Sequence, residues 1–422
     1  VFLLAGYAGT GKTSVVGALV RTLREAGVGS VLMAPTGRAA KVFAAFAGEQ
    51  ASTIHRKIYR PPTDDDPFMS MRSNTYRDTI FIVDEASMIG SEAGTDGRSG
   101  LLDDLIHYVY TGEGCRLILL GDKAQLPPVG CEESPAMDPD VLRGFGLRVS
   151  RVVLTKTVRQ TDGSGILANA TRLRRAMRLD PLPVPAIMTR GYDDVSTLEG
   201  AELQDAIESA YAADGIEETI VITRTNWRAS EFNAAIRSRI LYREEELCRD
   251  ELLMVAKNNY YWSTKVRGLD FIANGDTARV ERVYGTEERY GLRFADVLLR
   301  LPYRDVDVEC KIVLDSLVSN SPALTAEDAK RLFEGCLNDP DHVVPSMPYS
   351  ARVRRLHKDP YFNALQVKYG YAVTCHKAQG GQWRNVVVDL TGIPAEALTT
   401  VDLYRWLYTA TTRATEALVY LN

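Results

Sequence analysis

Near the start of the chain, residues 6–13 read Gly-Tyr-Ala-Gly-Thr-Gly-Lys-Thr, the spacing G-x-x-x-x-G-K-T. No other feature limits the possible folds so sharply. The apolar run 1–4 before it reads as a buried strand. After it Val16, Leu19 and Leu23 recur at helical spacing, with Gly27 as a stop. Glycines between a strand and a helix let successive backbone N–H groups turn inward and surround phosphate oxygens at the helix N-terminus. The pattern therefore predicts a nucleoside triphosphate site in an α/β fold. Gly6, Ala8, Gly9, Thr10, Gly11 and Ser14 form its expected phosphate cradle. Lys12 is expected to reach the β- and γ-phosphates, and the Thr13 hydroxyl to hold Mg²⁺. A glycine turn with a chance lysine would supply the same residue types, but not the strand and helix on either side.

The length, 422 residues, corresponds to about three domains. With 45% hydrophobic and 25% charged residues, and no repeat or low-complexity tract, the composition is that of a globular protein. No apolar run approaches the ~18–20 residues of a membrane span, so no membrane partner is expected. The six cysteines lack C-x-x-C spacing, which suggests neither a zinc site nor a disulfide framework and fits a reducing, cytoplasmic setting. A net charge of −5 argues against coating nucleic acid through overall charge but leaves room for a local basic groove. Val1 opens within a strand-like run with no initiator Met, so the chain reads as a piece of a longer protein.

Strand-like runs at 30–35, 79–85 and 116–122 end in Pro, in paired acids and in Gly-Asp, as buried parallel strands with functional residues at their carboxyl ends do. A second series, 219–225, 367–374, 385–390 and 417–421, alternates with helical stretches such as 227–240 and 402–414. Two doubly wound α/β units are expected. Residues 50–78 break the rhythm with "RPPTDDDP". Residues 251–365 carry short β-like pieces, a turn at Asn274-Gly275 and a helical part around 325–337.

Within "FIVDEASM", Asp84 and Glu85 stand side by side at a strand end. Asp84 suits Mg²⁺ and Glu85 suits the attacking water, although two exposed acids capping a helix would look the same. In "LLGDKAQLPPVG", Gln125 is placed to sense the γ-phosphate or water, and Asp122 to support the metal shell. A plain strand exit with a diproline turn accounts for that stretch equally well.

Taken in order, "GYAGTGKT", "APTGRAA", "STIH", "VDEAS", "GDKAQLPPVG", "VRQ", "YAVTCHKAQGGQW" and "YTATTRA" resemble the superfamily 1B DNA helicases, on the RecD-like and Dda-like branch. The resemblance runs from Gly6 to Ala414. It implies two tandem RecA-like motor domains, doubly wound parallel sheets at 1–49 with 79–163 and at 164–250 with 366–422. It also implies a small pin or wedge at 50–78 and an SH3-like β-rich insertion at 251–365. ATP and Mg²⁺ would lie between the motors. Lys12, Glu85 and Gln125 would act from the first motor, and Arg159 and Arg413 would reach the γ-phosphate as arginine fingers, with Gly380 closing the nucleotide site. Single-stranded DNA would cross Pro35, Thr36, Arg38, Thr53 and His55 on the first motor and Asn226, Thr374, His376 and Lys377 on the second, with contacts mostly to the backbone. Each arginine or histidine, taken alone, would more simply be a surface ion pair or a satisfied histidine. The basic run 351–358 reads as a solvated face or as a DNA rim. The residues before Gly6 do not include the adenine-reading segment of the relatives, and Gln382 stands where many of them have an acid.

The resulting expectation is an ATP-dependent DNA helicase moving 5′→3′ on single-stranded DNA and opening duplex junctions. It would be a monomeric motor, with repair or recombination proteins as partners. The alternative within the family is a DNA-stimulated ATPase or translocase subunit of a larger complex, without autonomous unwinding. Two rivals are a phosphate-loop kinase or non-DNA ATPase, and a DNA-binding subunit that keeps ATP as a structural ligand. The first fails to account for "TCHKAQGGQW" and "TATTRA"; intact Lys12, Glu85 and both arginines oppose the second.

Overall fold

The computed structural model describes residues 1–60, 70–91, 100–155, 163–266, 269, 271–302, 305–344 and 346–422, without the Thr13 side chain. It divides into two units. The first comprises residues 1–60, 71–222 and 375–422; the second centres on 223–374.

The first unit holds two parallel sheets. In one, the strands Ala51–Thr53, Ser30–Ala34, Ile80–Val83, Arg116–Gly121, Phe2–Gly6 and Ser150–Leu154 lie side by side in that order. Four of them are the runs read from sequence as buried strands, and their Leu, Ile and Val side chains are covered on both faces. The helices Lys12–Glu25 and Gly37–Ala47 bury Val16, Val20 and Phe43 against Leu4, Leu32, Ile82 and Leu120. They approach so closely that a Cβ on Gly17 would lie 2.8 Å from the Phe46 carbonyl oxygen. Every strand of this sheet points its carboxyl end to one edge, where open α/β sheets bind ligands.

In the other sheet, Thr219–Thr223, Trp383–Asp389, Ala414–Leu421 and Val195–Leu198 run parallel in that order. The helix Val401–Thr411 connects the two strands on either side of it and buries Leu403, Tyr404, Trp406, Leu407 and Tyr408. Ser150–Leu154 and Val195–Leu198 were not legible as strands. The first is mostly exposed, and only Val195 of the second is buried.

The second unit carries a closed five-stranded barrel of Leu252–Val255, Thr277–Arg289, Leu292–Leu301, Val306–Val313 and Leu365–Tyr369. The run 367–374, read from sequence as one strand of the second sheet, is therefore two: Leu365–Tyr369 closes the barrel, and Ala372–Thr374 forms a second, short strand. Phe294, Val313 and Leu292 pack with Leu332, Cys336 and Leu356 from the helices Ala326–Leu337 and Tyr349–Leu356. The fully buried Glu251 precedes the first barrel strand. It accepts hydrogen bonds from Arg237 at 3.0 and 3.1 Å, from Arg243 at 2.9 Å and from the Tyr371 hydroxyl at 2.7 Å. Among the described residues no helix is long and apolar enough to cross a membrane.

Candidate functional site

A cavity of about 270 Å³ opens at the carboxyl edge of the first sheet. The loop after Phe2–Gly6 forms one wall. Gly9 and Gly11 have φ of +75° and +74°, a left-handed conformation that glycine adopts without penalty, and Gly11 stands immediately before the helix Lys12–Glu25. The Thr10 hydroxyl donates to the Tyr7 carbonyl at 2.7 Å and tightens the turn. The Lys12 ammonium donates to the Gly6 and Tyr7 carbonyls at 2.7 and 3.2 Å, so the loop curls around its own lysine. Gly6 must lack a side chain: a Cβ there would sit 2.7 Å from Thr10 Oγ1 and 2.8 Å from Lys12 Cγ.

Asp84 and Glu85 leave the end of Ile80–Val83 and face the same cavity. Glu85 has φ +52°, unusual for a residue with a side chain, and its N–H donates to Asp84 Oδ1 at 2.8 Å. Such strain persists only where the surroundings impose it. Gln125 lines the cavity too. It is nearly buried, yet its Oε1 has no hydrogen-bond partner among the described residues. An orphaned acceptor at a cavity wall suits a donor brought by a ligand or a water.

Gly380, Gly381 and Arg413 close the cavity from the second sheet. The Arg413 guanidinium is 3% exposed and donates to the carbonyls of Thr409 at 3.0 Å and Gly381 at 3.1 Å and to Thr412 Oγ1 at 3.1 Å. Lys12, Asp84, Glu85, Gln125, Gly380 and Arg413, scattered over four hundred residues of chain, thus share one cavity with Ala8, Gly9, Gly11 and Ser14. Arg159 lies outside the described residues, as does the Thr13 side chain.

Beside these sits a buried carboxylate. Asp122 follows Arg116–Gly121, is 1% exposed and accepts from the Ala124 N–H at 3.0 Å and the Tyr408 hydroxyl at 2.6 Å. Burial pushes its carboxyl above the ordinary range, and the Lys12 charge pulls it back down. Tyr408 was not singled out from sequence. It stands five residues before Arg413 in the same "YTATTRA" run, but a tyrosine in an apolar helix reads as core.

The residues read as nucleic-acid contacts fall on edges. Ala34 pairs with Thr53, so Pro35, Thr36 and Arg38 emerge beside Thr53 and His55 at the carboxyl edge of the first sheet. Thr36 caps the helix Gly37–Ala47 through the Ala39 N–H at 3.2 Å. Thr53 is fully buried and caps Ile54–Ile58 through the Arg56 N–H at 3.2 Å. Arg38 stacks its guanidinium 3.9 Å from the Trp383 ring centre and donates to the Gln382 carbonyl. His376 and Lys377 lie in the single turn Cys375–Ala378, His376 exposed and Lys377 half-buried. In the second unit, Asn226 begins the helix Asn226–Ala235, which Thr225 caps, and Thr374 ends Ala372–Thr374. Of the basic run 351–358, Arg352 donates to Met347 O and Asn338 Oδ1, and Arg355 to Cys336 O.

Known proteins bear on this arrangement. A family model described as an AAA domain matches residues 1–181, and one described as a UvrD-like helicase C-terminal domain matches residues 369–421. An uncharacterized protein of Acanthamoeba polyphaga mimivirus is 22% identical over all of this chain and 95% of its own length. The ATP-dependent RecD2 DNA helicase of Deinococcus radiodurans is 34% identical over 30% of this chain, and the ATP-dependent DNA helicase dda of Enterobacteria phage T4 is 23% identical over 59%. The matches span 16% and 55% of those two helicases. Among solved structures, one of two coordinating Pif1 helicases at forked double-stranded DNA is 16% identical over 99% of this chain and 87% of that one, with a TM-score of 0.49. The motifs in their order and the two matched regions converge on one assignment. In its motifs and in both matched regions the chain is similar to the superfamily 1B helicases of the RecD and Dda type.

Proposed function

We propose that the chain is an ATP-dependent DNA helicase that moves 5′→3′ along single-stranded DNA and opens duplex at junctions. The observation that carries this reading is the meeting of Lys12, Asp84, Glu85, Gln125 and Arg413 around one cavity. Gly9 and Gly11 would turn loop amides toward phosphate, and Lys12 would exchange its loop carbonyls for phosphate oxygens. Mg²⁺, held by Asp84 and Thr13, would supply positive charge at the phosphates. Glu85 would accept the proton of the attacking water, and Gln125 Oε1 would accept a hydrogen bond from that water and fix its direction. Arg413 would leave Gly381 O for the γ-phosphate, a contact worth roughly 10³–10⁵ in rate. Arg159 is assigned the second finger.

The two sheets would be the cores of two RecA-like motors, and closing the cavity on ATP would change the grip on DNA along the edges that carry Pro35, Thr36, Arg38, His55, His376 and Lys377, with Asn226 and Thr374. Thr53, being buried, would place the His55 turn rather than touch the strand. The barrel supports an SH3-like insertion, and 50–78 is assigned the pin that parts the strands.

The test is ATP turnover with and without oligo-dT, with Glu85→Gln as the control, followed by unwinding of 5′- and 3′-tailed duplexes. Stimulation lost in Glu85→Gln, with unwinding of the 5′-tailed substrate alone, is the expected outcome. Turnover indifferent to DNA would refute the motor, and stimulation without unwinding would point to a translocase subunit of a larger complex.

A further inference from the structure

Gln125 is held in place from the other sheet. Its segment, residues 122–126, leaves the first sheet in a turn in which the Gln125 N–H donates to Asp122 O at 3.2 Å and the Ala124 N–H to Asp122 Oδ1 at 3.0 Å, and polar groups on both sides of Gln125 are taken up by residues of the second. On one side of Gln125, Asp122 accepts from the Tyr408 hydroxyl at 2.6 Å, and the same hydroxyl accepts the Ala8 N–H of the phosphate loop at 2.8 Å. On the other side both backbone polar groups of Leu126 are bracketed. Its N–H donates to Thr409 Oγ1 at 2.8 Å, and its carbonyl accepts from Gln379 Nε2 at 2.7 Å. Tyr408, Thr409, Asp122, Gln125 and Leu126 are each less than a tenth exposed, so these bonds form where water does not compete. The Gln125 side chain itself spends no bond on holding its place: among the described residues Oε1 is unpartnered. Beyond the turn of its own segment, its position is set from outside.

We propose that Tyr408, Thr409 and Gln379 form a three-point clamp that positions Gln125 for water activation, so that the glutamine is competent only while the helix Val401–Thr411 is seated against residues 122–126. Tyr408 and Thr409 are positioning residues; they act through Gln125. Because Arg413 follows the same helix, one seating would place both the arginine and, through the clamp, the glutamine. Movement of the second sheet would withdraw both together, which ties hydrolysis to the closed cavity without a separate sensor. The inference rests on the ATPase reading above and adds to it the device that switches Gln125 on.

The experiment compares steady-state ATP turnover, with saturating oligo-dT, of the wild type, Tyr408→Phe, Gln125→Ala and the double variant. Tyr408→Phe keeps the ring and removes only the hydroxyl. It is expected to lower kcat by roughly ten- to a hundredfold, the scale of a misplaced reacting group, with KM for ATP within about twofold. In the Gln125→Ala background the same change is expected to cost nothing further, because there is no glutamine left to place. Thr409→Val, which removes the acceptor of the Leu126 N–H, should behave likewise and decides the question if Tyr408→Phe does not fold. A normal kcat in the folded variant overturns the clamp. So does a change in KM alone, or a loss of equal size with and without Gln125. An inactive wild type would instead overturn the ATPase reading on which the clamp rests.

Discussion

If Lys377 contacts the strand as proposed, DNA affinity should be a measurable function of pH. Burial pushes its ammonium pKa from the ordinary 10.5 down to about 8. If its contact with the strand needs the charged form, the association constant follows the protonated fraction. That fraction is about nine-tenths at pH 7 and about one-tenth at pH 9, so affinity for oligo-dT should fall roughly tenfold across that interval, whereas a lysine at its ordinary pKa would lose almost nothing. The stability of the fold should move the other way. Folding depresses this pKa, so the charged form is penalised in the native chain. The penalty is in full force below about pH 8 and fades as pH rises from there toward 10.5. Anisotropy of a labelled oligo-dT at constant ionic strength, from pH 7 to 9.5, reads the effect. Lys377→Arg is the control, since a guanidinium stays charged throughout. A flat wild-type curve, or the same slope in Lys377→Arg, refutes the assignment of Lys377 to the strand.

Lys12→Ala should abolish ATP turnover, while Arg413→Ala should still bind a fluorescent ATP analogue but lose turnover by roughly 10³ or more; normal hydrolysis by the latter would end its role as a finger. Gly6→Ala places a Cβ within 2.8 Å of Thr10 and Lys12, so nucleotide affinity in equilibrium titration should drop while the thermal midpoint moves little. Glu251→Gln leaves the buried Arg237 and the part-buried Arg243 without their counter-charge and should cost about 3–5 kcal/mol in urea unfolding. A cost below about 1 kcal/mol would mean that water reaches the cluster.

The phosphate loop was legible because its function is local. Gly6 to Thr13 are consecutive, and the strand and helix flanking them announce themselves by period. The strands 30–34, 80–83 and 116–121 were legible because burial on both faces leaves unbroken apolar runs. Ser150–Leu154 and Val195–Leu198 lie at sheet edges, where one side meets solvent and the apolar signal thins out. The clamp on Gln125 was illegible for another reason. Tyr408 and Asp122 are 286 residues apart, and nothing in either local pattern says that a core tyrosine spends its hydroxyl on a distant carboxylate. Motif order could bring the two stretches to one site, but only coordinates could show which atoms meet.

The same distinction bears on how an acidic chain would hold nucleic acid. With a net charge of −5, affinity has to come from particular groups and not from an overall field. The basic run 351–358 reads in the sequence as a solvated face or a DNA rim, and in the structure Arg352 bonds the Met347 carbonyl and Arg355 the Cys336 carbonyl. Arg38 stacks on Trp383, and Lys377 is half-buried, which lowers its pKa but leaves it mostly charged at pH 7. The other groups assigned to the strand are hydroxyls, a helix N-terminus and histidines, which would grip a backbone without binding it tightly. Arg38 is already engaged and Lys377 is half-buried, so a motion that frees either would raise the grip and a motion that reburies it would release the strand. A motor needs that property more than it needs affinity: a track held by fixed surface charge would be bound at every stage of the cycle, and the energy of ATP would go into pulling free of it.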